Sequence, residues 1–460
     1  MGYPTVYPTG VTLYNKSKAY SGYTIFHSAK GAQLIDMNGR EVKTWTGTLG
    51  FPDRILPGGY LVTSSNKYRD KLEFLERADL LQVDWNGNVV WRFDKNTKIQ
   101  TDDGEVYVAK QSHDWQRESL PSGYFSPNSL PKTEGENTII ITHERTNDPK
   151  ISPHTINDEK IIEVDWQGNI VWSWKASEHF DELGFDEAAK NTIYRTPGRG
   201  SGRHDWLTFN NISILGENKW YDNGDERFNP ENILFDARQA NILGIIEKKT
   251  GKVVWRLGPE FSENEASKKL GQIMGQHHLH LIQKGLPGEG DILVFDNGGA
   301  SGYGVPTVNS ETGINHYQRN YSRVLQFNPV TLDITWQYTP EEAGFNTFTD
   351  PTKFFSSYVS SAQRLPNGNT LITEGSDGRV LEVTAEHEIV WEYINPYFET
   401  HFSDKTKKTN FLFRAYRVPY EWVPQLSRPE EVDIKPVDIE TFRVPGTVSV
   451  IGEGEVTEVK

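Results

Sequence analysis

The chain of 460 residues contains no cysteine, and this absence excludes several kinds of chemistry. Disulfide bonds, thiolate metal sites and cysteine nucleophiles are ruled out, and the redox compartment is left undetermined. The chain also lacks any run of about 18 apolar residues, the length that a membrane-spanning helix needs. The N-terminal sequence MGYPTVYPTGVTLYNKSKAY has no basic segment followed by an apolar one. We therefore expect a soluble cytoplasmic protein, or a periplasmic or secreted one if a signal peptide has been removed.

Positive charge is scarce as well. The chain has 48 Lys and Arg against 63 Asp and Glu, a formal net charge of -15. This charge repels phosphate, and no Lys/Arg run offsets it, so neither nucleic acid nor an anionic membrane is expected as a partner. What the chain does have is 12% aromatic residues, 40 Gly and 24 Pro, the composition of a folded protein rich in turns.

One short unit recurs six times along the chain. Each copy has an apolar strand, a polar turn that usually holds Asn-Gly, Gln-Gly or Thr-Gly, and a β-branched pair that runs into tryptophan. Glycine supplies the positive φ of a tight hairpin turn, and Val, Ile and Trp suit a half-buried pleated surface. The copies are LIDMNGREVKTW (34–45), QVDWNGNVVW (82–91), EVDWQGNIVW (163–172), IIEKKTGKVVW (245–255), QFNPVTLDITW (326–336) and EVTAEHEIVW (382–391).

A second strand pair is expected in the gaps between these hairpins, which gives four strands per unit. A lone sheet of four strands cannot bury both faces, whereas six such sheets around one axis can. The sequence therefore predicts an all-β fold, a six-bladed β-propeller of four-stranded antiparallel sheets. The second elements are represented by RILPGGYLVTS (54–64), SLPSGYFS (119–126), LPGEGDILVFDNGG (286–299) and RLPNGNTLITEG (364–375).

The tryptophans that end the six units are expected to pack the blades together. Their spacing ranges from 46 to 83 residues, whereas one blade needs about 40 to 50. We expect the excess to form long insertions on one face, where functional loops are usually found. Residues 1–426 are predicted to form a single propeller domain, with 427–460 as a closing strand or a wrapping segment. The tryptophans are Trp45, Trp91, Trp172, Trp255, Trp336 and Trp391.

Polar residues just before the predicted inner strands should converge on the central channel of the ring. They lie in QSHDWQRESL (111–120), RHDWLTFNNISIL (203–215), GQHHLHLI (275–282) and FFSSYVSSAQRLPNGNTLI (354–372). Together with FDARQ (235–239), FDNGG (295–299), YSRVLQFNP (321–329) and FRAYRVPYEW (413–422), this ordered series resembles the bacterial arylsulfate sulfotransferase family, which works without a nucleotide sulfate donor. The resemblance begins at YPTGVTLYN (7–15) and covers nearly the whole chain.

The resemblance implies a histidine nucleophile in the central channel of a six-bladed propeller. This histidine takes a sulfuryl group from an aryl sulfate and passes it to a phenol by way of a covalent sulfohistidine. Carried over by motif, the nucleophile is His277, with His113 and Arg238 as the other catalytic residues. Asn210 lines the sulfate pocket. The family implies no cofactor and no metal, and the partner it implies is a small aromatic or anionic molecule.

These residue types suit the implied chemistry. A neutral imidazole is a nucleophile at neutral pH, and a covalent intermediate divides one difficult transfer into two easier steps. Arg238 offers a planar fork of donors to sulfate oxygens, and a cationic His113 could stabilise or protonate the leaving phenolate. The family usually has a histidine where this chain has Thr208, so one donor to the sulfuryl oxygens or the leaving group is missing. We count Thr208, His278, Tyr303 and Tyr358 as further substrate-binding candidates, although packing is the alternative for both tyrosines.

Other interpretations stay open from the residues alone. His277, His278 and His280 could bind a metal, although only the last two share a strand face, or they could pack within the strand. Arg238 could pair with Asp236. The segment TGKVVW (250–255) resembles the docking repeat of quinoprotein dehydrogenases, but one copy in six does not predict a quinone cofactor.

Two further functions are alternatives to sulfuryl transfer. A lyase or hydrolase acting on an anionic or aromatic substrate could use His113 and His277 as acid and base, and a non-catalytic ligand-binding propeller is the third possibility. The periplasmic members of the family carry an extra N-terminal β domain, a signal peptide and a disulfide, all absent from this sequence. His143 and His204 lie in polar insertions, where we expect solvated loops.

Overall fold

The structure is a computed structural model that describes residues 8–198, 204–401, 405–438, 440–441 and 454–459. Most of the regular structure is β strand, arranged in small sheets that form the blades of a six-bladed β-propeller, so the predicted fold class is confirmed. The chain divides into two compact units. Unit 1 comprises Met1–Lys110, Tyr124–Gly135 and Val359–Lys460, and unit 2 comprises Gln111–Gly123 and Glu136–Tyr358.

Unit 1 contains blades 1, 2 and 6. Blades 1 and 6 each have a fifth strand and combine strands from both ends of the chain, and the added strand Glu455–Glu458 runs parallel to its neighbour. The predicted tail thus contributes a strand, while 439, 442–453 and 460, like residues 1–7, lie outside the described residues. In order across each sheet, the strands are Ala415–Val418, Tyr23–Ser28, Gly31–Ile35, Glu41–Thr46 and Glu455–Glu458 in blade 1; Arg54–Leu56, Tyr60–Thr63, Leu80–Val83 and Val89–Phe93 in blade 2; and Ser361–Arg364, Thr370–Glu374, Arg379–Val383, Ile389–Ile394 and Gly10–Tyr14 in blade 6.

Unit 2 contains blades 3, 4 and 5. Their strands are Gln111–Arg117, Thr138–Thr146, Ile156–Val164 and Ile170–Lys175 in blade 3; Phe209–Ile214, Ile233–Ala237, Ile242–Ile246 and Val253–Leu257 in blade 4; and His277–Leu281, Ile292–Asp296, Arg323–Phe327 and Ile334–Tyr338 in blade 5. The prediction of a strand in SLPSGYFS (119–126) was wrong, because this segment forms turns and the second strand of blade 3 begins at Thr138. Pro121 and Pro127 cannot donate to a strand ladder, which suits them to a connection.

The remaining elements are short. Three hairpins stand apart from the blades: Thr97–Thr101 with Gly104–Val108, Ser301–Tyr303 with Ile314–Tyr317, and Glu399–Thr400 with Lys408–Thr409. The α-helices are Glu187–Arg195, Lys219–Asp222 and Glu265–Leu270, and the two-residue strand Glu76–Arg77 precedes Leu80–Val83 in the chain. The 3-10 helices are Ala176–Leu183, Glu226–Phe228, Pro351–Lys353, Gly375–Asp377 and Tyr420–Trp422. No helix within the described ranges is long and apolar enough to cross a membrane.

The predicted hairpin turns form as their sequences indicate. In the turn of blade 3, the Asp165 carboxylate accepts the backbone N–H of Asn169 at 2.8 Å, and Gly168 has a φ of +83°. The same carboxylate-to-backbone bond occurs at Asp36 in blade 1 and Asp84 in blade 2. A short acidic side chain at the start of the turn and a glycine near its end therefore fix the geometry of these hairpins.

Apolar side chains fill the spaces between adjacent blades of unit 2. Blades 3 and 4 share a cluster that includes Ile161, Phe209 and Phe235, and blades 4 and 5 share one that includes Leu243 and Leu279. Full burial of one such side chain contributes about 1.5 to 3 kcal/mol, so these clusters supply most of the stabilisation between the blades.

Three of the fourth-strand tryptophans also join neighbouring blades, as predicted. Their indole N–H groups donate to a backbone carbonyl in the turn between the third and fourth strands of the next blade. Because the acceptor belongs to another sheet, each bond fixes the position of one blade against the next. The bonds run from Trp172 to Lys248 at 3.1 Å, from Trp255 to Pro329 at 3.0 Å and from Trp391 to Met37 at 2.8 Å.

Replacing Trp391 by phenylalanine should therefore destabilise the protein. The Met37 carbonyl loses its donor, and we expect the free energy of unfolding to fall by about 1 to 2 kcal/mol. Urea unfolding followed by fluorescence measures this loss. Tyr393→Phe is the matched control, because its ring stacks on Trp391 and its hydroxyl has no hydrogen-bond partner within the described part of the chain. An equal loss in the two variants would contradict the role of the indole bond.

Candidate active site

The first strands of blades 3, 4 and 5 are irregular near their start. Their pairing shifts register between Gln111 and Trp115, between Phe209 and Asn211, and between His277 and His280. Non-glycine residues with positive φ lie at or beside each shift, namely His113 at +48°, Thr208 at +56° and His278 at +53°. Such conformations cost about 1 kcal/mol or more each and are found preferentially at functional sites.

The strand ladders place three of the predicted site residues in one structural position. In each of blades 3, 4 and 5, one residue of the first strand pairs with the first residue of the second strand. Four positions before that residue lie His113 in blade 3, Asn210 in blade 4 and His277 in blade 5. Three equivalent side chains on three neighbouring strands thus form one row, which we call the polar row. The defining pairs are Arg117 with Thr138, Ile214 with Ile233, and Leu281 with Ile292.

Side-chain hydrogen bonds hold these first strands side by side. The Asp114 carboxylate accepts the N–H of Ile212 at 3.4 Å, which joins blade 3 to blade 4. The Asn210 carboxamide donates to the Gln276 carbonyl at 2.9 Å, and this bond joins blade 4 to blade 5. Asn210 is thereby fixed beside His277, and the members of the polar row lie on adjacent strands.

His277 is held in one tautomer by its surroundings. Its Nδ1 lies 2.7 Å from the Asn297 Oδ1 and 3.1 Å from the Gly275 carbonyl. The Asn297 Nδ2 donates to the Ser356 carbonyl at 2.7 Å, which assigns Oδ1 as the oxygen that faces the imidazole. Both of these groups are acceptors, so Nδ1 carries a hydrogen, and in the neutral imidazole the lone pair then lies on Nε2.

Arg238 follows the second strand of blade 4 and has both guanidinium ends fixed. Its Nη1 donates to the Ala300 carbonyl at 3.1 Å and its Nη2 to the Ser357 carbonyl at 3.3 Å. Within the described residues, no carboxylate lies within 4.0 Å of the guanidinium, so the alternative pairing with Asp236 is wrong. The buried Nε–H has no acceptor there either. The guanidinium is positively charged, and its buried Nε–H is available as a donor.

Gly275 lies beside the guanidinium of Arg238. A Cβ built on Gly275 would lie 3.5 Å from the Arg238 Nη2 and 3.0 Å from the Gly299 carbonyl, and the φ of Gly275 is +60°. A larger residue would crowd the Gly299 carbonyl and strain the backbone, while its distance to Arg238 would be an ordinary van der Waals contact. Gly275 and its neighbours therefore bring Arg238 close to the strand that carries His277.

His113 and Thr208 are both buried. The Nδ1 of His113 lies 2.6 Å from the Ser112 hydroxyl. The backbone N–H of Thr208 donates to Asp205 at 3.1 Å, and its carbonyl accepts the N–H of Arg238 at 2.9 Å. The Thr208 hydroxyl has no hydrogen-bond partner among the residues that the structure describes. A buried hydroxyl of this kind is a donor that a ligand oxygen can use.

The other three substrate-binding candidates lie in different surroundings. The rings of His278 and His280 have their centroids 4.6 Å apart, so these two share a face as predicted. The Tyr303 hydroxyl donates to the Trp206 carbonyl at 2.5 Å, and its ring belongs to the apolar cluster of blades 3 and 4. Tyr358 is half-buried, and its carbonyl accepts the Ser356 hydroxyl at 2.8 Å. Tyr303 thus packs in the core, and substrate contacts for all three residues stay predictions.

A neighbouring ion pair fixes the segment before His277. The Asp296 carboxylate lies 2.8 Å from Arg319 and 2.7 Å from Arg323, and it accepts the N–H of Met274 at 2.9 Å. Burial acts to raise the pKa of Asp296, but the two guanidinium groups outweigh burial and hold it below its ordinary value. Asp296 is therefore ionised and neutralised by its own partners.

In the described parts of the chain, no three His, Asp or Glu side chains are grouped to hold a metal ion.

Sequence reasoning missed three residues that belong to this region. Asn297 and Glu159 were not considered, and the prediction of a solvated loop for His143 was wrong. His143 lies in the strand Thr138–Thr146 and is 4% exposed. His204 is half-buried, and its Nδ1 lies 2.8 Å from the Thr155 carbonyl.

When the second strands are aligned with one another, the sequence does indicate His143 and Asn297. The segments NTIIITH (137–143), NILFDAR (232–238) and DILVFDN (291–297) align without a gap, and their last column is His143, Arg238 and Asn297. The ladders agree, because each of these residues lies five positions after the start of its second strand. We call these three residues the second-strand row.

Comparison with known proteins identifies a family. A family profile described as Arylsulfotransferase (ASST) matches residues 60–414. No curated protein matches this chain. Among solved structures, a Bacteroides caccae protein of unknown function matches at 10% identity and a TM-score of 0.40, covering 86% of this chain and 98% of its own.

Two other solved structures are similarly distant. The periplasmic gluconolactonase of Pseudomonas aeruginosa matches at 10% identity and a TM-score of 0.38, covering 87% of this chain and 100% of its own. The virginiamycin B lyase of Staphylococcus aureus matches at 13% identity and a TM-score of 0.31, covering 83% and 86%. Likenesses this weak carry no argument about function.

The contact between His277 and Asn297 predicts the tautomer of the imidazole. In the wild type, ¹⁵N-histidine NMR should show the hydrogen on Nδ1, with the His277 signals assigned by their loss in His277→Gln. Asn297→Ala removes one hydrogen bond worth about 1 kcal/mol and should move the tautomer ratio severalfold toward Nε2–H. Asn211→Ala is the control, because its carboxamide donates to the Leu279 carbonyl on the same strand. Equal spectra for the wild type and Asn297→Ala would refute this role of Asn297.

Proposed function

Because the chain belongs to the arylsulfotransferase family, we propose that it transfers a sulfuryl group from an aryl sulfate to a phenolic acceptor through a covalent intermediate on His277. The observation that carries the proposal is the environment of this imidazole. Two acceptors hold the Nδ1 hydrogen, and Nε2 keeps the lone pair that a nucleophile needs. The nucleophile is thus oriented before any substrate binds.

In the first half-reaction, the His277 Nε2 forms a bond to sulfur while the bond between sulfur and the aryl oxygen breaks. The electron pair of that bond leaves with the aryl oxygen. The imidazole gains positive charge as it reacts, and its Nδ1–H becomes a stronger donor to the Asn297 oxygen. This hydrogen bond is therefore stronger in the transition state than in the ground state, which is the condition for a contribution to the rate.

Arg238 is the residue that we assign to the sulfuryl oxygens. Leaving its buried Nε–H unpaired costs about 1 to 3 kcal/mol, and a sulfate oxygen would supply the missing acceptor. The backbone carbonyls of Ala300 and Ser357 fix the guanidinium plane, so little side-chain entropy is lost on binding. Asn210, His113 and the Thr208 hydroxyl are assigned as further donors to the same anion.

In the second half-reaction, a phenol oxygen attacks the sulfur and its proton is released. The bond between sulfur and Nε2 breaks, and the electron pair returns to His277, so the enzyme is regenerated. Burial of the polar row favours a phenolic acceptor over water, because an aromatic ring gains hydrophobic free energy in a closed site and water does not.

Intact-mass analysis tests the covalent step. After incubation with 4-nitrophenyl sulfate and no acceptor, the wild-type protein should gain one sulfuryl group, located on His277 by peptide mapping and removed on adding phenol. His277→Ala should show neither the label nor transfer. His204→Gln, a change outside the polar row, should behave as the wild type. Undiminished transfer by His277→Ala would disprove the assignment, and nitrophenol release that ignores the acceptor would indicate hydrolysis.

Arg238→Lys tests recognition of the sulfuryl group. Lysine keeps the charge but loses the planar fork and the Nε donor, so we expect kcat/KM for 4-nitrophenyl sulfate to fall by about 100-fold, as for the loss of one preorganised donor. Lys248→Arg, on the outer turn of the same blade, is the control and should leave the kinetics unchanged. A loss below about threefold in Arg238→Lys would remove this residue from the sulfate site.

A further inference from the structure

We propose that His143 and Glu159 form a buried acid–base pair that gives a proton to the departing aryl oxygen and takes one from the incoming phenol. This inference rests on the proposed sulfuryl transfer and adds a proton-transfer site to it. The family motifs quoted above do not include either residue. Three observations support the pair: its place in the fold, its contacts, and the proton affinity of the carboxyl group.

The place of His143 follows from the strand ladders. It is the blade 3 member of the second-strand row, whose other members are Arg238 and Asn297. Asn297 contacts His277 directly, and Arg238 approaches Gly275, two residues before His277. Two members of the row thus face the segment that carries the nucleophile. The repeat of the blades gives His143 the corresponding position in blade 3, the blade whose first strand carries His113.

The contacts of Glu159 connect His143 to blade 4. His143 and Glu159 are opposite each other in the ladder, and the His143 Nε2 lies 3.2 Å from the Glu159 Oε2. The other carboxylate oxygen accepts the backbone N–H of Phe209 at 2.8 Å. Phe209 follows Thr208, whose buried hydroxyl has no partner among the described residues. The pair therefore lies where Phe209, the neighbour of Thr208, begins the first strand of blade 4.

The charges around Glu159 favour a shared proton. Burial raises the pKa of Glu159 to about 7. The contact with His143 acts to lower this pKa, and the charge of the neighbouring Asp205 acts to raise it. A buried carboxyl group with a pKa of about 7 can hold a proton beside the imidazole and release it at small cost near neutral pH.

In the proposed reaction, the pair gives up one proton and receives one back. As the bond between sulfur and the aryl oxygen breaks, the proton shared by His143 and Glu159 moves to that oxygen, and a neutral phenol leaves. In the second half-reaction, the acceptor phenol returns a proton to the pair as its oxygen bonds to sulfur. No external acid or base is consumed.

A leaving-group comparison tests the pair. The variants are His143→Gln, which keeps a polar group opposite Glu159, and Glu159→Gln, which keeps an acceptor for the Phe209 N–H. Phenyl sulfate releases a phenolate as basic as that of tyrosine, whereas 4-nitrophenyl sulfate releases a much weaker base that needs little protonation. We expect both variants to lose about 100-fold in kcat/KM on phenyl sulfate and less than about fivefold on 4-nitrophenyl sulfate, with phenol derivatives as acceptors.

The controls separate a structural effect from a chemical one. Glu163→Gln lies on the same strand as Glu159 and contacts Lys248 at 2.9 Å, so it should leave the ratio of the two donors unchanged. Thermal unfolding shows whether each variant is folded. If one of the two variants does not fold, the other carries the test, because the measured quantity is the ratio between donors in a single preparation.

The outcomes are distinct. A selective loss on phenyl sulfate in the pair variants, with His277 still labelled by 4-nitrophenyl sulfate, supports the inference. Equal losses on both donors, or a selective loss in His113→Gln alone, would overturn it and leave the transfer reaction intact. Absence of transfer and of the His277 label in the wild type would refute the proposed function, and the inference with it.

Discussion

The hydrogen bond between the His277 Nδ1–H and the Asn297 carboxamide is the interaction on which the proposed chemistry depends. A buried imidazole can carry its hydrogen on either nitrogen, and only one choice leaves Nε2 with the lone pair. Asn297 makes that choice because its Nδ2 is already bound to the Ser356 carbonyl, which leaves its oxygen to face the ring. The amide is fixed at both ends, so the imidazole that we propose as the nucleophile would need no reorganisation when a substrate arrives.

This arrangement has a cost in the backbone. His113, Thr208 and His278 adopt positive φ at or near the register shifts of three neighbouring first strands. The regular parts of the blades offset that strain through the apolar clusters between sheets and the indole bonds to the next blade. The strain is concentrated where the strands present polar side chains. The register shift between His277 and His280 interrupts the regular alternation of side chains between the two faces of their strand.

The sequence predicted the fold well because the features that make a blade are local. A turn with Asp and Gly, a β-branched pair and a tryptophan lie within a dozen residues, and the structure forms the predicted hairpin at each of the six copies. The failure at SLPSGYFS (119–126) arose where an insertion separates two paired strands. Its Gly and Pro residues look like a hairpin turn, but the partner strand begins only at Thr138.

The site was predicted less completely, because its residues are defined by strand register rather than by motif. The pattern in 203–215 and 275–282 suggested Asn210 and His277, and the ladders place both in the polar row. His143 was missed because charged residues follow it in HERTND (143–148), a composition typical of a loop, although the strand continues through Thr146. Asn297 was missed because an amide next to two glycines in FDNGG suggests a turn and not a partner for a histidine.

The net charge of the chain and the local charge of Arg238 bear on the ligand that we propose for this region. The net charge of -15 opposes an anion at long range, so an anionic substrate must be held by groups close to it. Arg319 and Arg323 cannot provide that attraction, because the buried Asp296 lies within 2.8 Å of each of them and neutralises part of their charge. Arg238 has only backbone carbonyls as partners in the described structure and keeps its full charge and its Nε–H. A neutral ligand would leave that buried charge uncompensated, whereas the sulfate ester that we propose as the substrate would supply both the countercharge and the acceptor.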